Sequence, residues 1–221
     1  MAPRAVSVGV EGAGTVSALW LRPAGAKACL VLAHGAGTDM NHRSMAAIAD
    51  GLAARGIATL RYNFPYRERG SKRPDPPAIA QPTVRAACAE AGRLARGLPL
   101  FAGGRSFGGR MTSQAQAAQP LPGVRGLVFF AFPLHLAGKP SVGRADHLRE
   151  TTIPMLFLQG TRDALAELDL LRPMVKALGR RARLALAADA DHSFHVPART
   201  GRSDEAVLGE LLDAAAAWMT A

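Results

Sequence analysis

Six short apolar runs, separated by stretches of helical periodicity, constrain this chain more than any other feature of it. The runs are 28–33, 57–62, 98–102, 124–130, 154–158 and 182–187, and most show little alternation of apolar and polar residues. A continuous apolar run of that length suits a strand covered on both faces of its sheet. Residues 43–55, 83–96, about 107–119 and 165–178 carry helical spacing between the runs, and 203–219 follows the last of them. Such alternation predicts an α/β chain with a mostly parallel central sheet and helices on both faces. Ahead of it, 6–10 and 16–21 alternate with period two around Glu11-Gly12-Ala13-Gly14-Thr15, which predicts an antiparallel hairpin at one edge. Glycines 9, 12 and 14 imitate a dinucleotide fingerprint, but a strand follows them where the fingerprint needs a helix.

With 221 residues and no repeat or linker, the chain reads as one domain, 1–221. No apolar run approaches the ~20 residues of a membrane span. The opening Met1-Ala2-Pro3-Arg4-Ala5-Val6-Ser7 lacks the apolar stretch of a secretory signal, so the expectation is a cytoplasmic protein. Cys29 and Cys88 are expected as reduced structural thiols, since neither belongs to a CxxC or Cys/His cluster; no metal site and no cofactor follow. The net charge of +10 does not imply nucleic acid, because the cations are scattered. Their two clusters, 67–73 and 180–183, contain no aromatic platform.

The chemistry is carried by Gly104-Arg105-Ser106-Phe107-Gly108, a G-x-S-x-G motif with an apolar strand before it and a helix after it. In that setting the serine sits on a sharp elbow, and its glycines remove side chains that would collide there. Acyl transfer through such a serine needs N–H donors for the developing oxyanion. In the α/β-hydrolase fold they come from the residue after the nucleophile, here Phe107, and from the loop after an early strand. That loop is His34-Gly35-Ala36-Gly37, so Ala36 or Gly37 is the expected second donor. His34 is expected as a buried orienting residue. The general base is expected late in the chain, where Asp191-His192-Ser193-Phe194-His195 follows the last strand. His192 is the candidate and His195 the reserve. Asp163, just past the run at 154–158, is the expected acid orienting His192, with an N-cap for the helix beginning near Leu165 as its competing role. The order Ser106, Asp163, His192 is the α/β-hydrolase order.

Longer motifs carry a resemblance. They are Ala-His-Gly-Ala-Gly-Thr-Asp-Met-Asn-His at 33–42, Arg-Tyr-Asn-Phe-Pro-Tyr at 61–66 and Gly-Gly-Arg-Ser-Phe-Gly-Gly-Arg at 103–110. Phe-Pro-Leu-His at 132–135, Gln-Gly-Thr-Arg-Asp at 159–163 and Ala-Asp-His-Ser-Phe at 190–194 complete the set. From about residue 28 to 215 the chain resembles a small, dienelactone-hydrolase-like branch of the α/β-hydrolases. That branch holds many bacterial hydrolases together with eukaryotic relatives, among them testis-expressed hydrolase-like proteins and a regulatory subunit of a histone acetyltransferase complex. The resemblance implies the Ser106, Asp163, His192 triad and a serine hydrolase, and implies no particular substrate. Dienelactone hydrolases proper carry cysteine at the elbow, where this chain has Ser106.

Asp39 or Asn41 is the expected cap of the helix that follows. Arg105, beside the nucleophile, is expected to find a carboxylate partner. The segment 132–149 is too short for a separate cap domain, so the site is expected to be open, with the loop at 65–82 as one wall. The expected activity is hydrolysis of a small ester, thioester or lactone through an acyl-enzyme. Its partner would be a small-molecule acyl substrate, with no membrane or nucleic acid, and the protein would be a monomer or homodimer. The alternative is a hydrolase-fold binding or scaffold protein with little turnover.

Overall fold

The apolar runs line up side by side in one sheet. The computed structural model describes residues 2–221, which contain β1 (Arg4–Val10), β2 (Gly14–Leu21), β3 (Ala28–Ala33) and β4 (Ile57–Tyr62). After them come β5 (Leu100–Arg105), β6 (Val124–Phe130), β7 (Met155–Gly160) and β8 (Ala182–Ala187). The strand order is β1-β2-β4-β3-β5-β6-β7-β8. β1 pairs with β2 and β2 with β4 antiparallel, and all remaining pairs are parallel. The hairpin therefore closes one edge, as its period-two pattern predicts.

The helices are α1 (Arg43–Ala53), α2 (Pro65–Glu68), α3 (Pro77–Leu94), α4 (Phe107–Ala118), α5 (Leu168–Ala177) and α6 (Asp204–Thr220). They cover both faces, and the strands divide their side chains between them. Leu30, Leu32, Val128, Phe130, Leu156 and Leu158 join the cluster built with α1 and α6. Their chain neighbours Cys29, Val31, Leu127, Phe129, Met155 and Phe157 join the cluster built with α3, α4 and α5. Period two is thus present inside runs that look uniform, because both faces of the sheet are apolar. Each such side chain contributes roughly 1.5–3 kcal/mol by leaving water. Cys29 and Cys88 are buried free thiols, both pushed up to about 12 by burial.

Three boundaries differ from the pattern reading. α3 starts at Pro77, well before residue 83, and runs through Pro82. Pro77 fits the first helical position, where an N–H has no intrahelical acceptor, whereas Pro82 lies inside the helix and leaves Ala78 O without its usual N–H donor. The expected 65–82 loop accordingly shrinks to α2 and a short connection. β5 begins at Leu100, two residues late, and extends to Arg105, while α5 begins only at Leu168 after a turn. Between β6 and β7 there is a 3-10 helix, Gly143–Glu150, and no packed cap. It is tied to α4 by a 2.7 Å bond between His147 Nε2 and Ser113 Oγ. The loops after β3, β5, β7 and β8 all emerge at one edge of the parallel sheet, where ligands of open α/β sheets bind.

Candidate active site

The elbow between β5 and α4 places Ser106 at φ 50°, ψ −116°, a conformation few side chains tolerate. Its N–H donates to Phe130 O at 2.9 Å, and its carbonyl accepts from Arg110 N at 3.1 Å, so strand and helix both hold it. The flanking glycines explain themselves by contact. A Cβ on Gly108 would stand 2.5 Å from Ala33 O and 2.6 Å from His34 O, and one on Gly104 would overlap Ala33 O. The elbow is therefore packed directly against the end of β3.

β7 and β8 deliver the other two groups. Gly160 lets the end of β7 approach the backbone of Ala190 and Asp191, and Arg162 N–H donates to Ala190 O at 2.8 Å. Asp191 Oδ1 accepts from Ser193 N and His195 N, which curls the loop around His192. The outcome is a chain of bonds: Ser106 Oγ lies 2.9 Å from His192 Nε2, and His192 Nδ1 lies 2.7 Å from Asp163 Oδ2. An ionised carboxylate can only accept, so Nδ1 carries the imidazole proton and Nε2 is left to accept from the serine hydroxyl. Asp163 is fully buried at its side chain while that of His192 is 24% exposed, so the carboxylate is hidden and the imidazole is reachable.

Asp163 is not the helix cap, since α5 starts only at Leu168 with Glu167 at its N-cap, but it does close a turn ahead of that helix. Its Oδ1 accepts from Leu165 N at 2.8 Å, closing the turn before α5, and its Oδ2 accepts from Gln159 Nε2. Gln159 is a supporting residue that pattern reading missed; its place in Gln-Gly-Thr-Arg-Asp, four residues before the acid, was the available signal. The reserve base His195 is not brought to Ser106. It is exposed and held at 2.9 Å by the Asp204 carboxylate, which raises its pKa.

Phe107 is the first residue of α4, so its N–H has no intrahelical acceptor. In the loop after β3, Gly35 O accepts from His34 Nδ1 at 2.8 Å and Thr38 Oγ1 at 3.1 Å, and Ala36 O accepts from Tyr66 Oη at 2.8 Å. A trans peptide points its N–H opposite to its carbonyl. These bonds thereby turn the N–H groups of Ala36 and Gly37 away from His34 and Tyr66. Burial pushes Tyr66 up to about 12, so it remains a donor. Tyr66 is the second residue missed, because α2 lies inside the segment read as loop.

Two further expectations need correction. Arg105 finds no carboxylate; its Nη2 donates to His192 O at 3.3 Å and Ser193 Oγ at 3.2 Å. It is part-exposed, so its charge is not sealed from solvent and no buried ion pair is needed. The cap of α1 is His42, whose Nδ1 accepts from Ser44 N, and neither Asp39 nor Asn41. Asp39 is already engaged, accepting from Asn41 N and pairing with Arg67 at 3.3 Å.

His34 is buried, as expected, and its environment makes it neutral. Nδ1 donates to Gly35 O, while Nε2 accepts from Phe64 N at 3.2 Å. A second proton would set Nε2–H against the Phe64 N–H, and burial lowers the pKa to about 4. Between pH 6.5 and 4 the unfolded chain therefore binds the proton that the folded one refuses. The stabilisation is complete above 6.5 and falls by roughly 3 kcal/mol on reaching 4. Urea unfolding at pH 7 and pH 4 should reveal this, with a shallower pH dependence in His34→Gln. His147, lowered to about 4 by burial and by Arg110, adds a contribution of the same sign.

Among the described residues no three metal-ligating side chains form a metal-holding group, and no helix is long and apolar enough to cross a membrane. Comparison with known proteins gives a match to a family model described as an alpha/beta hydrolase domain over residues 26–220. Solved structures with the same fold include a dienelactone hydrolase from Anabaena variabilis. It is 20% identical with a TM-score of 0.77, covering 98% of this chain and 95% of that one. An alpha-beta serine hydrolase homologue from Coxiella burnetii is 21% identical with a TM-score of 0.76, and 96% of each chain is covered. A lidless α/β serine hydrolase from Xanthomonas campestris is 20% identical with a TM-score of 0.76, covering all of this chain and 97% of that one.

Proposed function

The chain belongs to the α/β-hydrolase family, and from that premise we propose that it is a single-domain serine hydrolase acting on a small ester, thioester or lactone. The observation that carries this reading is the bonded series Ser106 Oγ, His192 Nε2, His192 Nδ1 and Asp163 Oδ2, at 2.9 and 2.7 Å, mounted on a strained elbow. In this reading Ser106 Oγ attacks the acyl carbon while its proton passes to His192 Nε2. Asp163 holds the ring in the required tautomer and stabilises the imidazolium. The tetrahedral oxyanion is held by the N–H of Phe107 and by that of Ala36 or Gly37. His192 returns the proton to the leaving oxygen or sulfur as its bond to carbon breaks. Water, deprotonated by the same nitrogen, then attacks the acyl-enzyme, and the acid and free Ser106 are released.

The short segment between β6 and β7 supports small or exposed acyl groups as substrates, because it leaves the elbow uncovered. The direct test is a fluorophosphonate probe, which reacts only with an activated serine. Folded protein should take up one label on the tryptic peptide 106–110, and urea-unfolded protein should take up none. Absence of label on folded protein would sink the hydrolase reading and leave the binding-protein alternative.

A further inference from the structure

Opposite the elbow, at the edge where the parallel strands begin, lies a cavity of about 480 Å³. Its cations come from separate parts of the chain: Lys27 just before β3, Arg125 in β6, and Arg180, Arg181 and Arg183 around the start of β8. No aspartate or glutamate is among its lining residues. Elsewhere some arginines find carboxylates, as Arg55 does with Asp213, Arg69 with Asp75 and Arg202 with Glu210, while others, Arg85 and Arg105 among them, bond only carbonyls and hydroxyls. Here none of the five makes an ion pair among the described residues, and only Arg181 is engaged, with the carbonyls of Arg149 and Thr151. Five cations stand here against at most one carboxylate, that of the lining residue Ala221, so the cavity is net positive and an anion bound in it relieves the repulsion among them.

The rest of the lining is mostly apolar, with Pro99, Phe101, Pro154, Trp218 and Met219 beside Thr220 and Ala221. Trp218 packs at 5.5 Å against Phe101, and a Cβ on Gly126 would meet its ring at 2.6 Å, so the indole is fixed in place. One aromatic platform beside several arginines suits a single planar ring with a string of charged oxygens. It does not suit a nucleic-acid strand, which needs successive platforms. The volume falls within the ordinary range for small-ligand sites. We propose that this cavity binds a polyphosphorylated ligand bearing one planar ring, the chemistry of a nucleotide. The site is independent of the triad and stands whether or not the chain is a hydrolase.

The test is a fluorescence titration of the whole protein with ATP as the probe, with tripolyphosphate and adenosine in parallel. ATP should quench saturably, and the quench should disappear in Trp218→Phe, since the other tryptophan, Trp20, is buried within the far part of the sheet. Tripolyphosphate should compete more weakly and adenosine hardly at all. Added salt should weaken ATP binding, and Arg125→Ala with Arg183→Ala should weaken it by at least about tenfold. The proposal is overturned by unsaturable quenching, by ATP binding indifferent to salt or to the double variant, or by tripolyphosphate binding as tightly as ATP. A single-stranded oligonucleotide binding more tightly than ATP would assign the surface to nucleic acid and overturn it equally.

Discussion

Ser106→Ala is expected to lower kcat toward a reporter ester by about 10⁵-fold or more, and His192→Ala by a comparable factor. The double variant should be hardly worse than either. In the proposed mechanism nucleophile and base act in one proton transfer, across the 2.9 Å bond between Oγ and Nε2, so removing either group would end the covalent route. The activity left over would come from the N–H donors and substrate binding, which neither change touches. Stability should change by less than about 1 kcal/mol, because alanine meets the same strain at φ 50° that serine does and the hydroxyl caps no helix. Kinetics and urea unfolding measured side by side separate chemistry from folding. A Ser106→Ala variant within tenfold of wild type would remove Ser106 from the mechanism.

Much of this arrangement is legible in the residues, for a specific reason. The triad order, the strand-to-helix setting of Gly104-Arg105-Ser106-Phe107-Gly108 and the doubly buried strands are all local patterns along the chain. Parallel topology then brings the loops after β5, β7 and β8 to one edge without further information. The parts that escaped pattern reading depend on contacts between distant segments. Tyr66 matters through the carbonyl of Ala36, thirty residues earlier. Arg105 is settled by the carbonyl of His192, 87 positions later, and nothing near Arg105 in sequence announces that acceptor. The start of α3 escapes pattern reading for a different reason: prolines at 76, 77 and 82 signal a loop, yet a proline at the first helical position can begin a helix.

The last glycine of the motif provides the sharpest structural test. Gly108→Ala is expected to cost more than about 3 kcal/mol, the scale of a severe overpacking. The added methyl carbon would stand 2.5 Å from Ala33 O and 2.6 Å from both Ala33 C and His34 O. These are backbone atoms of β3 and the loop after it, so no rotamer change relieves the collision. Either α4 lifts from the sheet or β3 bends, and both separate the elbow from the loop bearing Ala36 and Gly37. Gly9→Ala is the control, since a Cβ there has nothing within 4 Å and the backbone is not left-handed. Both changes remove the same chain entropy from the unfolded state, so their difference isolates the collision. At 2–4 °C per kcal/mol, Gly108→Ala should melt roughly 10 °C below Gly9→Ala. Its folded fraction should also lose turnover, because the proposed oxyanion donors would no longer converge with Ser106. A Gly108→Ala protein melting beside the control would mean that β3 and the elbow separate at little cost. The motif's final glycine would then owe its place to something other than this contact.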